Sequence, residues 1–197
     1  MNSPDILLAL KPLIASFNEL KISYYIGGSL ASSVYGMPRA TLDADIVADI
    51  TSNQIKTLKS KLEKEYYIDE NTIKDAIRNN SSFNLIHFKT SVKIDIFVYK
   101  NDAYQQNAIE RRVEDTLVED DRSSKFCFAS PEDIIINKLN WYKIGNGVSE
   151  RQWRDIIGVI KIQGNSLDKK YLKEWAIKLN LIELLKKAFI DAEVRFQ

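Results

Sequence analysis

Between Arg39 and Ile50 the chain alternates with a period of two. Ala40, Leu42, Ala44, Ile46, Ala48 and Ile50 share one parity, and Arg39, Thr41, Asp43, Asp45 and Asp49 share the other. Successive side chains of a β-strand point to opposite faces, so this segment is predicted to be a strand with one apolar and one polar face. Aspartate disfavours strand interiors, yet here it stands twice inside an otherwise apolar strand. Whatever sheet forms must therefore present Asp43 and Asp45 on the same side. Two residues apart on a strand, they lie about 6.6–6.8 Å apart along the backbone. Their carboxylates can converge on one divalent ion, or on a pair of ions about 3.5–4 Å apart.

The flanking segments fit around that strand. Ile22, Tyr24 and Ile26 alternate and run into Gly27-Gly28-Ser29; a short helix is expected from Leu30 to Tyr35, ended by Gly36 and Pro38. Upstream, Ser3-Pro4 reads as a cap and first-turn proline, and Ile6 to Leu20 recur at helical spacing, with Pro12 expected to kink or divide the helix. Downstream, Thr51 and Gln54 resemble a capping box before Ile55, Leu58 and Leu62, and a polar helix is expected from Asp69 to about Asn79. Phe83–Phe88 and Val92–Tyr99 suggest a hairpin around Lys89-Thr90-Ser91. In its second arm Lys93, Asp95 and Phe97 share the polar parity. Ala103–Arg111 reads as helix, and Val113–Val118 and Lys125–Ala129 as strands. Ser130-Pro131-Glu132-Asp133 is a strong helix start, and helices are expected over Pro131–Lys143, Glu150–Ile162, Leu167–Leu179 and Ile182–Glu193. Strands and helices thus mix in the first two thirds, and helices close the chain. The expected fold class is α+β, a mixed sheet flanked by helices with a helical C-terminal part. The division falls at 1–129 and 130–197, either as a core with a packed extension or as one single domain.

Composition removes several classes. The net charge of +1 gives no global field for nucleic acid. A single cysteine, Cys127, excludes an internal disulfide; alternating with Phe126 and Phe128, it reads as a buried structural thiol. His87 is the only histidine, which leaves little for a zinc site or a Ser-His-Asp triad, and its hairpin position suggests packing or surface. No apolar run approaches the ~20 residues that span a bilayer, and the N-terminus lacks the pattern of a signal peptide. The cytoplasm is the default address.

Gly27, Gly28 and Ser29 lie between a strand and a helix, where glycine lets backbone approach a ligand and helix amides can cradle phosphate; the same residues also make a plain turn with a cap. Asp95 could complete a cluster with Asp43 and Asp45 if their strands are neighbours. Each carboxylate pair at 4 Å would repel by about 4 kcal/mol at an effective dielectric of 20, so the cluster needs a cation, a raised pKa or a basic partner. Arg39, Lys93 and magnesium are the candidates. Alternatively the acids are simply solvated.

In this order, apolar residue, Gly-Gly-Ser, Asp-x-Asp, then a later Asp, the sequence resembles the DNA polymerase beta-like nucleotidyltransferase superfamily. IGGSLASSVYGMPRATLDADIV looks most like its AbiEii-type branch, which includes toxins of toxin–antitoxin and phage-defence systems. SPEDIIINKLNWY, with Lys138, and ERQWRDI, with Arg151, Arg154 and Asp155, extend the resemblance over roughly residues 22–160. The resemblance implies that Gly27, Gly28 and Ser29 hold a nucleoside triphosphate, and that Asp43, Asp45 and Asp95 bind magnesium, two ions in all. Asp95 would bind the catalytic metal or take the acceptor proton. Lys138 would neutralise the β- and γ-phosphates, or be a solvated lysine on an amphipathic helix. Arg39 would orient Asp43 and join the nucleotide site, or form a surface pair. For Asp155 an i, i+4 pair with Arg151 is the expectation, with orientation of a basic residue the alternative.

Trp141, Tyr142, Trp153 and Trp175 are expected in the core rather than stacked on a base. The lysine-rich tail from Lys169 to Lys187 reads as a solvated face, because Asp168, Glu174 and Glu183 are interspersed. The function that follows is magnesium-dependent transfer of a nucleoside monophosphate to a hydroxyl. The acceptor would be a tRNA 3′ end, a protein tyrosine or a small molecule, with a cognate toxin or antitoxin as a partner. The rival is an inactive module of the same fold that binds a nucleotide or a partner protein; a structural subunit of a complex is the third reading.

Overall fold

The computed structural model describes residues 4–117 and 124–196. The expected cap Ser3 and the strand end Val118 lie outside the described residues. By contacts the chain divides into two compact units, Met1–Leu30 with Ala40–Phe128, and Ala31–Arg39 with Ala129–Gln197.

The first unit carries a mixed sheet. Helix α1 (Pro4–Glu19) leads to strand β1 (Tyr24–Ile26) and to helix α2 (Gly28–Tyr35), whose first turn belongs to this unit. Strand β2 (Asp43–Ala48), helix α3 (Ile55–Leu62), strand β3 (Tyr66–Tyr67), helix α4 (Glu70–Asn79), the hairpin β4 (Ser82–His87) and β5 (Lys93–Val98), helix α5 (Ala103–Glu110), and strands β6 (Val113–Thr116) and β7 (Lys125–Phe128) follow. The strand order is β3-β4-β5-β2-β1-β7-β6. β2 pairs parallel with β5, and β1 with β7; the other pairs are antiparallel.

Alternating burial fixes the sheet's faces. Ala44, Ile46 and Ala48 of β2 and Ile94, Ile96 and Val98 of β5 are buried, and the intervening residues are not. The alternation begins later than the sequence suggests: Leu42 precedes the strand and is 79% exposed. Pro12 neither divides nor ends α1, which runs through it. A proline removes one helical N–H bond, the one to Leu8, and Leu8 lies on the exposed face where water can take its carbonyl. Thr51 N–H donates to Gln54 Oε1 at 2.9 Å, the reaching-back half of the expected capping box. Cys127 is half-buried rather than buried, because it takes the parity opposite Phe126 and Phe128; its N–H donates to Tyr24 Oη at 3.3 Å. His87 is a packing residue, with its Nδ1 2.8 Å from Thr90 Oγ1 and its ring 5.1 Å from that of Tyr66.

The second unit is helical: the remainder of α2, then α6 (Pro131–Ile144), α7 (Glu150–Gln163), α8 (Lys169–Lys178) and α9 (Ile182–Asp191). Ser130 caps α6 as its sequence demands, accepting from Asp133 N–H at 3.1 Å. Of the four aromatic residues expected in the core, only Trp175 is buried. Trp141 is 53% exposed, while Tyr142 and Trp153 are half-buried and lean on each other at 4.9 Å. Helical periodicity counts these rings as core, but the apolar stripe of α6 is already filled by Ile134, Ile135 and Leu139, and on α7 Ile156, Val159 and Ile160 are the buried residues.

Candidate nucleotide site

The parallel pairing of β2 with β5 sets Asp45 opposite Asp95 and Asp43 opposite Lys93. All four take the face of the sheet that the apolar residues leave. Asp43 is exposed, and Asp45 and Asp95 are half-buried. The three aspartates singled out in the sequence are therefore neighbours on one face. β4 adds Asn84, opposite Asp95 in register and exposed on the same side. Alternation within the predicted hairpin turns Asn84 outward, but its place beside Asp95 depends on a register that the sequence does not reveal.

The glycine turn meets this cluster at Asp45. Gly27 N–H donates to the Asp45 carbonyl at 2.8 Å. Gly28 opens α2 with a φ of +55°, and a Cβ built on it would fall 1.8 Å from Asp45 Oδ2. The Asp45 carboxylate thus lies directly against the Gly28 backbone, in space that any other residue would fill. Ser29 is the second residue of the same helix.

Lys93 is the cation the cluster needs. Its Nζ sits 2.8 Å from Asp95 Oδ1 and 2.9 Å from Oδ2. The hydrogen bond to Asp95 holds the ammonium above its ordinary range, and the charges of Asp95, Asp43 and Asp45 act in the same direction. The donor set is all carboxylate oxygen, which suits a hard divalent ion such as magnesium. Among the described residues no group of three or more His, Cys, Asp or Glu side chains is gathered around a common ion position.

Arg39 and Lys138 belong to the second unit and meet there on Asp155. Arg39 Nε and Nη2 donate to Asp155 Oδ1 and Oδ2 at 3.0 and 3.1 Å, a bidentate fork. Lys138 Nζ donates to Oδ2 at 2.8 Å. Burial works to raise the Asp155 carboxyl, but these hydrogen bonds and the charges of the two cations outweigh it and hold it below its ordinary value. Three expectations change. Lys138 is not solvated but buried; Asp155 pairs with Arg39 and Lys138 rather than with exposed Arg151; and the carboxylate that Arg39 grips is Asp155, not Asp43. These partners lie 17 and 116 residues from Asp155 in the chain, beyond any local pattern.

No protein-family model matches the sequence, and no curated protein matches it at a significant level. Solved structures match in fold. The lincosamide antibiotic adenylyltransferase LnuA, bound to lincomycin, superposes with a TM-score of 0.51 at 16% identity, over 81% of this chain and 97% of that one. The antibiotic-resistance factor ANT(2'')-Ia gives 0.54 at 14% identity, over 90% and 92%. An antigenic nucleotidyltransferase-like protein from Paracoccidioides brasiliensis gives 0.56 at 16% identity, over 98% and 93%. The fold is the nucleotidyltransferase fold. The expected class, an α+β mixed sheet flanked by helices with a helical C-terminal part, is the observed one. Among the described residues no helix is long and apolar enough to cross a membrane.

Proposed function

We propose that the chain is a magnesium-dependent nucleotidyltransferase that moves a nucleoside monophosphate from a triphosphate to a hydroxyl. The observation that carries this reading is Asp45 beside Asp95 in register, with Asp43 on the same face and the Gly27-Gly28 turn against Asp45. In this reading Gly27, Gly28 and Ser29 hold the triphosphate through backbone amides and the Ser29 hydroxyl. Asp43, Asp45 and Asp95 hold one or two magnesium ions, which when bound would neutralise phosphate charge and polarise the α-phosphate. Asp95 takes the proton of the acceptor hydroxyl; the acceptor oxygen bonds to the α-phosphorus as the bond to the β-phosphate oxygen breaks, and pyrophosphate leaves. The resemblance assigns Lys138 to the β- and γ-phosphates and Arg39 to the nucleotide site; Asp155, which holds both side chains, would fix their rotamers.

The acceptor belongs to one of three classes. The names of two structural neighbours, a lincosamide adenylyltransferase and an antibiotic-resistance factor, favour a small-molecule hydroxyl. The order Arg39-x-Thr41-x-Asp43-x-Asp45 after the glycine turn favours an AbiEii-type role, with a tRNA 3′ end or a protein tyrosine as acceptor, a cognate toxin or antitoxin as partner, and the cytoplasm as the place of action. A second reading, an inactive nucleotide- or partner-binding module, is favoured by the seat of Lys93 on Asp95. One experiment separates them. The protein is incubated with MgCl2, each α-labelled triphosphate in turn, and cell lysate or a lincosamide panel, beside Asp43→Asn and Asp95→Asn. Label in RNA, protein or small molecule that vanishes in both variants is the expected result. No transfer, and no binding of any triphosphate, would overturn the enzyme.

A further inference from the structure

We infer that Lys93 is a built-in competitor of the divalent cation, a removable counter-ion that sets how much magnesium the site requires. The inference rests on the nucleotidyltransferase reading of Asp43, Asp45 and Asp95. Lys93 precedes Asp95 by two residues on the same strand, and therefore shares its face. Its ammonium does not approach one oxygen of Asp95 but both, at 2.8 and 2.9 Å. Those are the lone pairs a metal would use. It also stands opposite Asp43 in the register and feels the charges of Asp43 and Asp45. One ammonium thus serves three carboxylates and leaves these four side chains with a formal charge of −2.

That arrangement has two consequences. Without a metal, Lys93 damps the repulsion that three adjacent carboxylates would otherwise suffer. For a metal to reach Asp95, the ammonium has to leave. Nothing prevents it: the Lys93 side chain is 46% exposed, on a flexible stem that can carry its charge into water. Binding of the ion is therefore an exchange of cations, and the apparent affinity is weaker than the carboxylates alone would give. An ammonium and a dication about 6 Å apart in water's dielectric repel enough to weaken binding about tenfold.

The test is isothermal titration of MgCl2 into the wild type, Lys93→Met, Lys93→Arg and Asp95→Asn, each checked for fold by circular dichroism. Lys93→Met is expected to bind magnesium about tenfold more tightly than the wild type. Lys93→Arg keeps the charge and is expected to bind like the wild type, and Asp95→Asn to lose binding. Methionine binding no more tightly than lysine, while the wild type binds and Asp95→Asn does not, would overturn the inference and leave the site standing. Equal tightening in Lys93→Met and Lys93→Arg would also overturn it, because shape rather than charge would be responsible. Absence of binding in both the wild type and Lys93→Met would overturn the inference together with the metal site.

Discussion

Replacing Gly28 by alanine should unsettle the protein far more than replacing Gly27, although the two glycines are adjacent. Gly28 has a φ of +55°, in the left-handed region, where an L-residue is penalised by about 1–2 kcal/mol. A Cβ there would also lie 1.8, 2.6 and 2.8 Å from Asp45 Oδ2, Cγ and Cβ. Rotation of the aspartate can clear the first two contacts but not the third, so β2 or the turn has to shift. Overpacking of this kind costs about 1–3 kcal/mol. Alanine returns about 0.4–1 kcal/mol by stiffening the unfolded chain. The net loss is about 1–5 kcal/mol. A Cβ on Gly27 would meet nothing within 4 Å, and its φ is not positive, so Gly27→Ala should stay within about 0.5 kcal/mol of the wild type. Urea denaturation followed by far-UV circular dichroism measures both. Equal stability of the two variants would refute the close approach of the Asp45 carboxylate to the turn.

Asp155→Asn should lose about 3–5 kcal/mol, because it leaves buried Lys138 and the Arg39 fork without their carboxylate; urea midpoints check this. The pH dependence follows from the lowered carboxyl of Asp155. A carboxyl whose native pKa lies below its unfolded value stabilises fully above that unfolded value, 3.8, and loses the contribution as pH falls through the native one. The stability gap between wild type and Asp155→Asn should therefore be flat from about pH 5 to 8 and shrink below about pH 4; a gap that shrinks near neutrality would contradict it. Tyr66→Phe removes the buried hydrogen bond from Tyr66 Oη to the Ala9 carbonyl, 2.6 Å, and should cost about 1–2 kcal/mol by the same measurement.

What could be read from the sequence was whatever local physics decides. The period of two around Asp43 and Asp45 announced β2 and its polar face, and Ser130-Pro131 announced the start of α6. The glycine turn was legible because strand, turn and helix follow one another directly. Pro12 misled because the rule against helical proline says nothing about which face its lost bond is on. The solvated alternative for Lys138 failed because periodicity shows that a lysine sits on a helix, not that a carboxylate waits on the next one. β3 has two residues, too few for any period to show. Asn84, and the seat of Lys93 on Asp95 rather than on Asp43, depend on strand register, which only the assembled sheet supplies.

That register is decided away from the acids. Asp95 stands beside Asp45 because Ile94 pairs with Ala44 and Ile96 with Ile46 on the buried face. A slip of one residue would turn Asp95 into the core and Ile94 out to water. A slip of two would keep the parity but move Asp95 away from Asp45 and lose one of the three buried cross-strand pairs, Ala44–Ile94, Ile46–Ile96 and Ala48–Val98. The carboxylates themselves oppose the arrangement, by as much as about 4 kcal/mol for a pair at 4 Å and an effective dielectric of 20. Full burial of a side chain the size of isoleucine contributes about 1.5–3 kcal/mol, and this strand pair buries three of them, Ile46, Ile94 and Ile96. The apolar face thus supplies enough to hold like charges together on the other face, with Lys93 lowering what it must offset. A substitution at Ile94 or Ile96 that lets β5 slip would dismantle the acidic cluster without touching an acid.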